Sequence, residues 1–310
     1  MRHIILIDPI ENLTPSKDST LMLANALKAL GHEVYLLFKE DFYISTTPFE
    51  LTVNVPEFVI VNRAIESVKT SPINLVLSKG DTVHMRLEPP FDTNYLRSLW
   101  MLKYLQSKEV KVINDPSGIM NFQEKLYPFE KKDPIPSCVV ATFKQCQSFF
   151  ESLENQSSFI IKPLDLFQGY GVTKVEKDVF DEQSFLNLKK SFNGLAIVQP
   201  FLSQIYDGEI RAIYFNGVEI GSILKRPPGK SILANIAQGA SYQKVDLEGS
   251  IRKKCEEMSR DLVEAKVPWV AFDILDGKIS EANTTCPGLL YEVSKAYDED
   301  LAMKIAEMLT

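Results

Sequence analysis

Phe159-Ile-Ile-Lys-Pro-Leu-Asp-Leu-Phe-Gln-Gly-Tyr-Gly-Val-Thr-Lys-Val175 is the stretch on which the fold assignment depends. It places Lys162 at the end of an apolar strand, and the turn Gln168-Gly169-Tyr170-Gly171 comes just beyond. Glycines in such a turn allow backbone N–H groups to approach phosphate oxygens, while the lysine supplies charge for the same anion. A tight hairpin with a solvated lysine would explain the same residues, so this stretch alone leaves both interpretations open.

Two better-known phosphate-binding patterns are absent from the sequence. Gly229-Lys230-Ser231 matches the last three positions of a Walker A loop, but Leu224 stands where the first glycine of that loop belongs. Gly169-Tyr170-Gly171 does not continue to a third glycine, so the dinucleotide-binding fingerprint also fails. Any phosphate site in this chain must therefore be of another kind.

A second chemical cluster lies near the C-terminus, where Asp273, Glu281 and Asn283 flank the turn signal Asp276-Gly277. Their side chains offer the oxygen ligands that Mg²⁺ accepts together with nucleotide phosphates. A two-residue turn would point Asp273 away from the other two side chains. We therefore expect a three-residue loop over 275–277 that brings all three to one face. An acidic hairpin exposed to water is the alternative.

Strands alternate with helices at the start of the chain, which predicts a parallel sheet with helices on its faces. Strands are predicted over 3–7, 33–38, 82–86 and 110–113, with Ser16 or Asp18 capping the first helix and Asp92 the second. A short helix around 117–123 and the Pro-containing stretch 133–136 mark a junction. Asn216-Gly217 and Asp276-Gly277 predict two hairpins in the last third of the chain.

Composition excludes several classes of protein. The chain has 310 residues and a formal charge of −7 with a pI near 5.2, which argues against a nucleic-acid-binding surface. The apolar run at 4–7 is too short for a signal peptide or a membrane span. The four cysteines form no CxxC pair, and the three histidines lie far apart in sequence. We expect a cytoplasmic protein with reduced cysteines, no Cys/His zinc site and no membrane partner.

The order of these features resembles that of ATP-grasp ligases. The segments 121–126, 161–165, 198–202 and 207–211 come in the order typical of that superfamily, followed by Asp273 and Glu281-Ala-Asn283. Asp8-Pro-Ile-Glu-Asn12, Lys17-Asp18-Ser19 and Met85-Arg-Leu-Glu-Pro-Pro-Phe-Asp-Thr93 look like the bacterial glutathione synthetase family. The resemblance covers nearly the whole chain. It implies an α/β protein with an ATP-grasp fold after an N-terminal, Rossmann-like parallel-sheet domain, divided into 1–120, a central lid subdomain 121–200 and a catalytic subdomain 201–310.

The resemblance also implies a reaction and a set of site residues. ATP would phosphorylate the carboxylate of γ-glutamylcysteine, and glycine would displace phosphate from the acylphosphate, with Mg²⁺, or Mn²⁺ in its place, as cofactor. It further implies small-molecule substrates and an assembly of identical subunits. The implied catalytic residues are Arg211, Arg226 and Asn235, and the implied metal ligands are Asp273, Glu281 and Asn283. ATP would contact Lys125, Lys162, Gln168, Gly169, Tyr170, Gly171, Gln199, Pro200, Phe201, Leu202 and Asp207. The peptide substrate would contact Lys17, Asp18, Ser19 and Arg86.

Three departures from the family pattern concern the substrate more than the ATP chemistry. Leu166 and Gln168 replace glycines of the family's loop, and Leu233 stands where the family usually carries an arginine. Residues 284–289 are nearer to the glutamate-adding ligases. Another ATP-grasp ligase joining a different acid and amine, or a nucleotide-binding module without catalysis, therefore remain as alternatives. We also expect 225–242 to form a mobile flap that shields the acylphosphate from water.

Overall fold

The N-terminal part of the protein is built on a six-stranded sheet. The computed structural model describes residues 1–190 and 194–309. The strands are β1 (Arg2–Ile7), β2 (Glu33–Phe38), β3 (Leu51–Val61), β4 (Ala64–Leu75), β5 (Thr82–Arg86) and β6 (Lys111–Ile113), in the spatial order β4-β3-β2-β1-β5-β6. β2, β1, β5 and β6 run parallel, which confirms the predicted parallel sheet, whereas β3 and β4 form an antiparallel hairpin that the sequence did not predict.

Three helices lie in this sheet's connections, and the first two begin at capping residues that the sequence indicates. They are α1 (Ser19–Ala29), α2 (Thr93–Gln106) and α3 (Pro116–Asn121). The Asp18 side chain accepts a hydrogen bond from the Leu21 N–H, and Asp92 does the same for Tyr95. These bonds satisfy N–H groups that have no partner within a helix, so each aspartate fixes where its helix starts.

Two antiparallel sheets make up the rest of the fold. The central sheet has the order β7-β10-β8-β9, and the C-terminal sheet has the order β13-β12-β11-β14-β15. The central elements are β7 (Cys138–Val140), α4 (Phe143–Ser152), β8 (Ser158–Pro163), β9 (Thr173–Glu176), α5 (Glu182–Lys189) and β10 (Ala196–Pro200). The C-terminal elements are β11 (Glu209–Phe215), β12 (Val218–Arg226), β13 (Ser241–Lys244), α6 (Gly249–Glu264), β14 (Trp269–Leu275), β15 (Lys278–Asn283), α7 (Leu290–Tyr297) and α8 (Leu301–Leu309).

The N-terminal and C-terminal sheets share one hydrophobic core. Ile5 and Leu27 from the first sheet's layer belong to the same buried cluster as Ile213, Trp269 and Ile305. The division at residues 120 and 200 stays a prediction, and residues 191–193 and Thr310 of the predicted subdomains lie outside the described residues. None of the described helices is long and apolar enough to cross a membrane.

Candidate active site

A cleft of about 380 Å³ lies where the three sheets meet. It collects most of the side chains that the sequence singled out. Of the predicted site residues, its lining includes Lys17, Asp18, Ser19, Arg86, Lys125, Lys162, Gln168, Gly169, Tyr170, Gln199, Pro200, Phe201, Leu202, Arg211, Asn235, Asp273, Glu281 and Asn283. These positions span more than 260 residues of sequence, so their convergence is a property of the fold.

Three predicted site residues do not line the cleft. Arg226 is exposed and donates from Nε to the Asp207 carbonyl oxygen over 3.2 Å, so these two residues contact each other instead. Successive side chains of a strand point to opposite faces, and in β12 it is Lys225 that faces the cleft. Gly171 has a φ of 76°, and a Cβ there would lie 2.7 Å from Pro163 Cγ, so close packing accounts for this glycine.

The turn at Asp276-Gly277 differs from the predicted one. Leu275 pairs with Lys278, and Asp276 and Gly277 have positive φ values of 52° and 67°. This is the two-residue turn that Asp-Gly sequences favour. The predicted three-residue loop is therefore wrong.

A β-bulge two residues from the turn brings the oxygen ligands together instead. Ile274 pairs with Ile279, but the next pair is Asp273 with Glu281, so Ser280 is an extra residue in β15. One extra residue reverses the facing of everything beyond it in the strand. The two carboxylates therefore share the cleft face with the amide of Asn283, as predicted, although by a different device.

Asp273 is held by two cations. Arg211 donates to both of its oxygens, from Nε over 2.8 Å and from the terminal nitrogen over 2.6 Å, and Lys225 Nζ lies 2.9 Å from Oδ1. Burial raises the pKa of Asp273, but Arg211 and Lys225 outweigh burial and hold that pKa well below its usual range. Lys225 also pairs with Glu209 over 2.8 Å. Asp273 is thus ionised at neutral pH, as a metal ligand must be.

Glu281 is paired across the cleft with the central sheet. Lys162 Nζ lies 3.1 Å from Glu281 Oε1. Burial raises the pKa of Glu281, but Lys162 and then Lys125 outweigh burial, so the net pKa is below the ordinary value. Two carboxylates and an amide on one face form a donor set that fits Mg²⁺ when phosphate oxygens complete the coordination.

The glycine-bearing loop, residues 164–172 between β8 and β9, is fixed at its base by Lys125. Its Nζ donates to the carbonyl oxygens of Leu164, over 3.2 Å, and of Leu166. The loop also contacts the expected flap, because a Cβ on Gly169 would lie 3.0 Å from Asn235 Oδ1 and 3.4 Å from Leu233. The flap residues 232–237 line the cleft. Whether this segment moves stays a prediction.

The strand end at 199–202 borders the cleft beside the central sheet. Gln199 donates from Nε2 to Ser137 Oγ over 2.8 Å, and the Phe201 N–H bonds to the Ser158 carbonyl over 2.9 Å. Pro200 and Leu202 lie in the cleft wall together with Ile135. This apolar wall suits the flat adenine base of ATP, and the predicted contact of 199–202 with ATP remains a prediction.

At the other end of the cleft, the predicted peptide-binding residues also connect the N-terminal part of the chain with its C-terminal part. Arg86 is only 3% exposed, donates to Thr20 Oγ1 and the Pro287 carbonyl over 3.0 Å each, and stacks 4.1 Å from the Trp269 ring centroid. Ser19 Oγ accepts from the Leu290 N–H over 3.0 Å. Contact with substrate here would therefore involve a wall that is already held in place.

Sequence reasoning missed several residues that line the cleft. They include Glu88, Glu124, Glu209 and Cys286, while Lys225 was noted only among scattered basic residues. Strand alternation was the signal for Glu209, which stands two residues before Arg211 and so shares its face. No comparable signal exists for Glu124, whose partners lie about 160 positions further along the chain.

A central antiparallel sheet that faces carboxylates of a second sheet across a cleft, with lysines at the base of a glycine-bearing loop, defines the ATP-grasp class of ligases. Solved structures agree with this fold. D-cycloserine synthetase DcsG matches with a TM-score of 0.69 and 16% identity over 100% of both chains, and the ATP-grasp ligase PsnB, complexed with a minimal precursor, Mg and ADP, matches with a TM-score of 0.62 and 12% identity over 99% and 96%.

Sequence comparison identifies the family within the ATP-grasp class. The family model of the prokaryotic glutathione synthetase N-terminal domain matches residues 1–120. The family model of the prokaryotic glutathione synthetase ATP-grasp domain matches residues 124–298. The chain belongs to the prokaryotic glutathione synthetase family. Glutathione synthetases of Prochlorococcus marinus subsp. pastoris and Nostoc sp. are 27% and 26% identical to it, over at least 97% of each chain. The protein is an ATP-dependent ligase that forms a peptide bond, and its family uses ATP with a divalent metal.

Proposed function

We propose that this ligase joins γ-glutamylcysteine to glycine through an acylphosphate, releasing ADP and phosphate. The observation that supports this most is the convergence of Lys125, Lys162 and Arg211 with Asp273 and Glu281 in one cleft. Phosphoryl transfer is catalysed chiefly by positioning and by cations that stabilise spread negative charge, and this cleft supplies both. The substrate pair is the one that the name glutathione synthetase, which these relatives carry, indicates.

Each charged group has a role in this chemistry. A carboxylate oxygen of the donor attacks the γ-phosphorus as the bond to the ADP oxygen breaks. Lys125 and Lys162 bind the ATP phosphates, and Arg211 stabilises the charge on the transferring group. Asp273, Glu281 and Asn283 would hold Mg²⁺, or Mn²⁺ in its place, which supplies further neutralising charge at the phosphates. The glycine amine then attacks the acyl carbon, loses a proton, and phosphate leaves.

The flap has a separate role, which is to exclude water. An acylphosphate is hydrolysed by water, so the acceptor amine must reach it in a closed site. The contact of Leu233 and Asn235 with Gly169 supports closure of 225–242 over the glycine-bearing loop.

The same segment favours a second candidate, which is a ligase with a different acceptor. The part of the flap around Leu233 lines the cleft with uncharged residues, and it offers no cation for the carboxylate of glycine. These residues are Ile232, Leu233, Ala234 and Ile236. An amine with an apolar group would suit this wall better. Both candidates use the same ATP chemistry, and they differ only in the acceptor.

A phosphate-release assay tests the proposal. Purified protein with ATP, Mg²⁺, γ-glutamylcysteine and glycine should release ADP and phosphate, and ¹⁸O from the donor carboxylate should appear in the phosphate. AMP and pyrophosphate would indicate adenylation and contradict the acylphosphate. Faster turnover with another acid or with an apolar amine would favour the second candidate.

Location and assembly belong to the same proposal. We place the enzyme in the cytoplasm, acting on small molecules as an assembly of identical subunits. The acidic net charge of −7 supports small-molecule over nucleic-acid partners. Light scattering on the purified protein tests the assembly, since a mass of 35.1 kDa would show a monomer.

A further inference from the structure

Three consecutive residues, Gln123-Glu124-Lys125, touch both sides of the cleft. On the side of the glycine-bearing loop, Gln123 donates from Nε2 to the Leu164 carbonyl over 3.0 Å, and Lys125 Nζ donates to the same oxygen over 3.2 Å. Gln123 Oε1 also accepts from the Lys125 N–H over 2.8 Å, which fixes the tripeptide internally. The base of the loop and this tripeptide are therefore one rigid unit.

Glu124 makes the contacts on the opposite side. Its main-chain oxygen accepts from the Ala282 N–H over 2.9 Å. Its Oε1 accepts from the Thr284 N–H over 2.8 Å, the Thr285 N–H over 2.9 Å and Thr285 Oγ1 over 2.8 Å. Hydrogen bonds to an ionised carboxylate are about twice as strong as neutral ones, and here three of them meet at one oxygen.

These bonds secure both neighbours of Asn283. Strand pairing ends at that residue, whose partner is Ala271, so the sheet alone does not determine the path of the chain beyond it. The Asn283 Nδ2 donates to the Ala271 carbonyl over 3.0 Å and to Asp273 Oδ2 over 3.2 Å. Both amide protons are then used, and Oδ1 is the atom left to bind a cation from the cleft.

We propose that Glu124 is a positioning residue that holds Asn283 for metal binding and fixes its distance from the lysine-bound phosphates. This inference rests on the proposed function, because it takes Asp273, Glu281 and Asn283 as the metal ligands. Residues that orient metal ligands without touching the metal typically change metal affinity about 10- to 100-fold when they are replaced. Glu124 orients Asn283 in this way because the segment 123–125 connects the phosphate-binding side of the cleft to its metal-binding side.

Mn²⁺ binding tests the assignment without requiring turnover. In Glu124→Gln the side chain keeps its shape but loses its charge, so Mn²⁺ affinity in the presence of ADP, followed by electron paramagnetic resonance, should fall at least tenfold. ADP affinity in EDTA, measured by calorimetry, should change less than about twofold. Glu88→Gln is the matched control, since Glu88 lines the same cleft but its side chain bonds to Cys286 and not to Thr284 or Thr285. Its Mn²⁺ affinity should equal that of the wild type.

Thr285→Val supplies a second variant that removes only one of the three bonds. It should weaken Mn²⁺ binding by less than Glu124→Gln does, and combining the two should add little, because both act through one oxygen. If Glu124→Gln does not fold, a weaker Mn²⁺ affinity of Thr285→Val at unchanged metal-free ADP affinity still supports the proposal.

Three results would overturn it. Wild-type Mn²⁺ affinity in Glu124→Gln would reject the positioning role while leaving the proposed function intact. An equal loss of Mn²⁺ and metal-free ADP binding would show a general structural role instead. If the wild-type chain itself bound no Mn²⁺ with ADP, the proposed metal site would fail, and the inference with it.

Discussion

Both oxygens of Asp273 are bonded to cations in this structure, and this affects how a metal can enter. Arg211 contacts Oδ1 and Oδ2, and Lys225 contacts Oδ1. If Asp273 binds a divalent cation as proposed, that cation takes the place of one or more of these donors. Arg211 would then be available for the transferring phosphate, so metal binding and the placement of Arg211 are linked at the level of single atoms.

Glu281 gives the most direct prediction at this scale. Glu281→Gln should lower kcat about 100-fold or more, because the metal that Glu281 is proposed to hold matters most where charge develops during transfer. Affinity for ADP should fall far less, since Lys125 and Lys162 remain. Phosphate release and calorimetric ADP binding measure the two effects, with the exposed Glu264→Gln as control. Unchanged turnover would remove Glu281 from the site.

The three histidines predict a pH dependence of stability. His3 and His84 are each 1% exposed, with His3 Nδ1 2.9 Å from His84 Nε2, and His32 lies against the His3 ring. Burial, then His32, the N-terminus and Lys111, lowers the pKa of His3 to about 4. Burial, then His3, Arg86 and Lys111, lowers the pKa of His84 well below the ordinary value. Unfolded histidine binds its proton near pH 6.5, so the unfolded state takes up more protons as the pH falls below that value.

The free energy of unfolding should therefore decrease as the pH falls from about 6.5 towards about 4. Urea unfolding of the wild type and His3→Leu across this range checks the sign. The variant should be less stable at pH 7.5, because His84 loses its partner, but its stability should fall less steeply with pH. Parallel curves would show that His3 does not contribute.

At the scale of elements, the bulge at Ser280 decides which residues of β15 reach the cleft. The turn alone would place Asp273 opposite Ser280 and turn Glu281 towards the core. With Ser280 as an extra residue, Ala282 instead joins Ile279 in the core, and Ser280 Oγ donates to the Asp273 carbonyl over 3.2 Å.

A deletion and an insertion at this point form a matched pair. Deleting Ser280 should leave Asp273 opposite Glu281 in regular pairing, and Mn²⁺ binding with ADP should stay within about tenfold of the wild type. Inserting alanine after Ser280 should shift Glu281 to a position opposite Ala271, about 7 Å along the strand from Asp273 on the same face, and so abolish that binding, because the two carboxylates would no longer lie side by side. Electron paramagnetic resonance and thermal melting measure both variants. Equal Mn²⁺ binding by the two would contradict the role of the bulge.

At the scale of the whole molecule, the N-terminal sheet and the C-terminal sheet are joined by Asn114. Its side chain donates to the carbonyls of Trp269 and Thr284, over 2.7 Å each, and accepts from the Trp269 N–H over 3.1 Å. These bonds lie beside the shared hydrophobic core. Neither sheet therefore has a complete core without the other.

Asn114→Ala should lower the free energy of unfolding by about 3 kcal/mol, because it leaves buried backbone groups without partners. The transition should remain a single one, since the sheets share a core. Scanning calorimetry checks both points, with the exposed Asn155→Ala as a control that should change little. Two resolved transitions in the wild type would show independent domains.

Local interactions explain the features that could be predicted from the sequence. The capping aspartates 18 and 92, the Asn-Gly hairpin and the strand–helix alternation of the parallel sheet depend on residues a few positions apart, and each was confirmed. The hairpin at Asp276-Gly277 was also confirmed, although its loop has two residues and not three. The side chains of Lys162 and Asp273 could be chosen because their residue types suit phosphate and metal chemistry. The resemblance of the motif order to that of ATP-grasp ligases then indicated an ATP-dependent ligase.

Only the tertiary structure decided the rest. Ser280 forms a bulge because Ile279 and Ala282, three positions apart, both face the core while Glu281 faces the cleft. That arrangement depends on packing against the whole sheet. Lys225 faces the cleft and Arg226 does not, because of the register of β12. Glu124 finds its partners, and the histidines meet, across long sequence separations. Such contacts leave no periodic signal in the chain, since they arise from the arrangement of elements and not from the residues beside them.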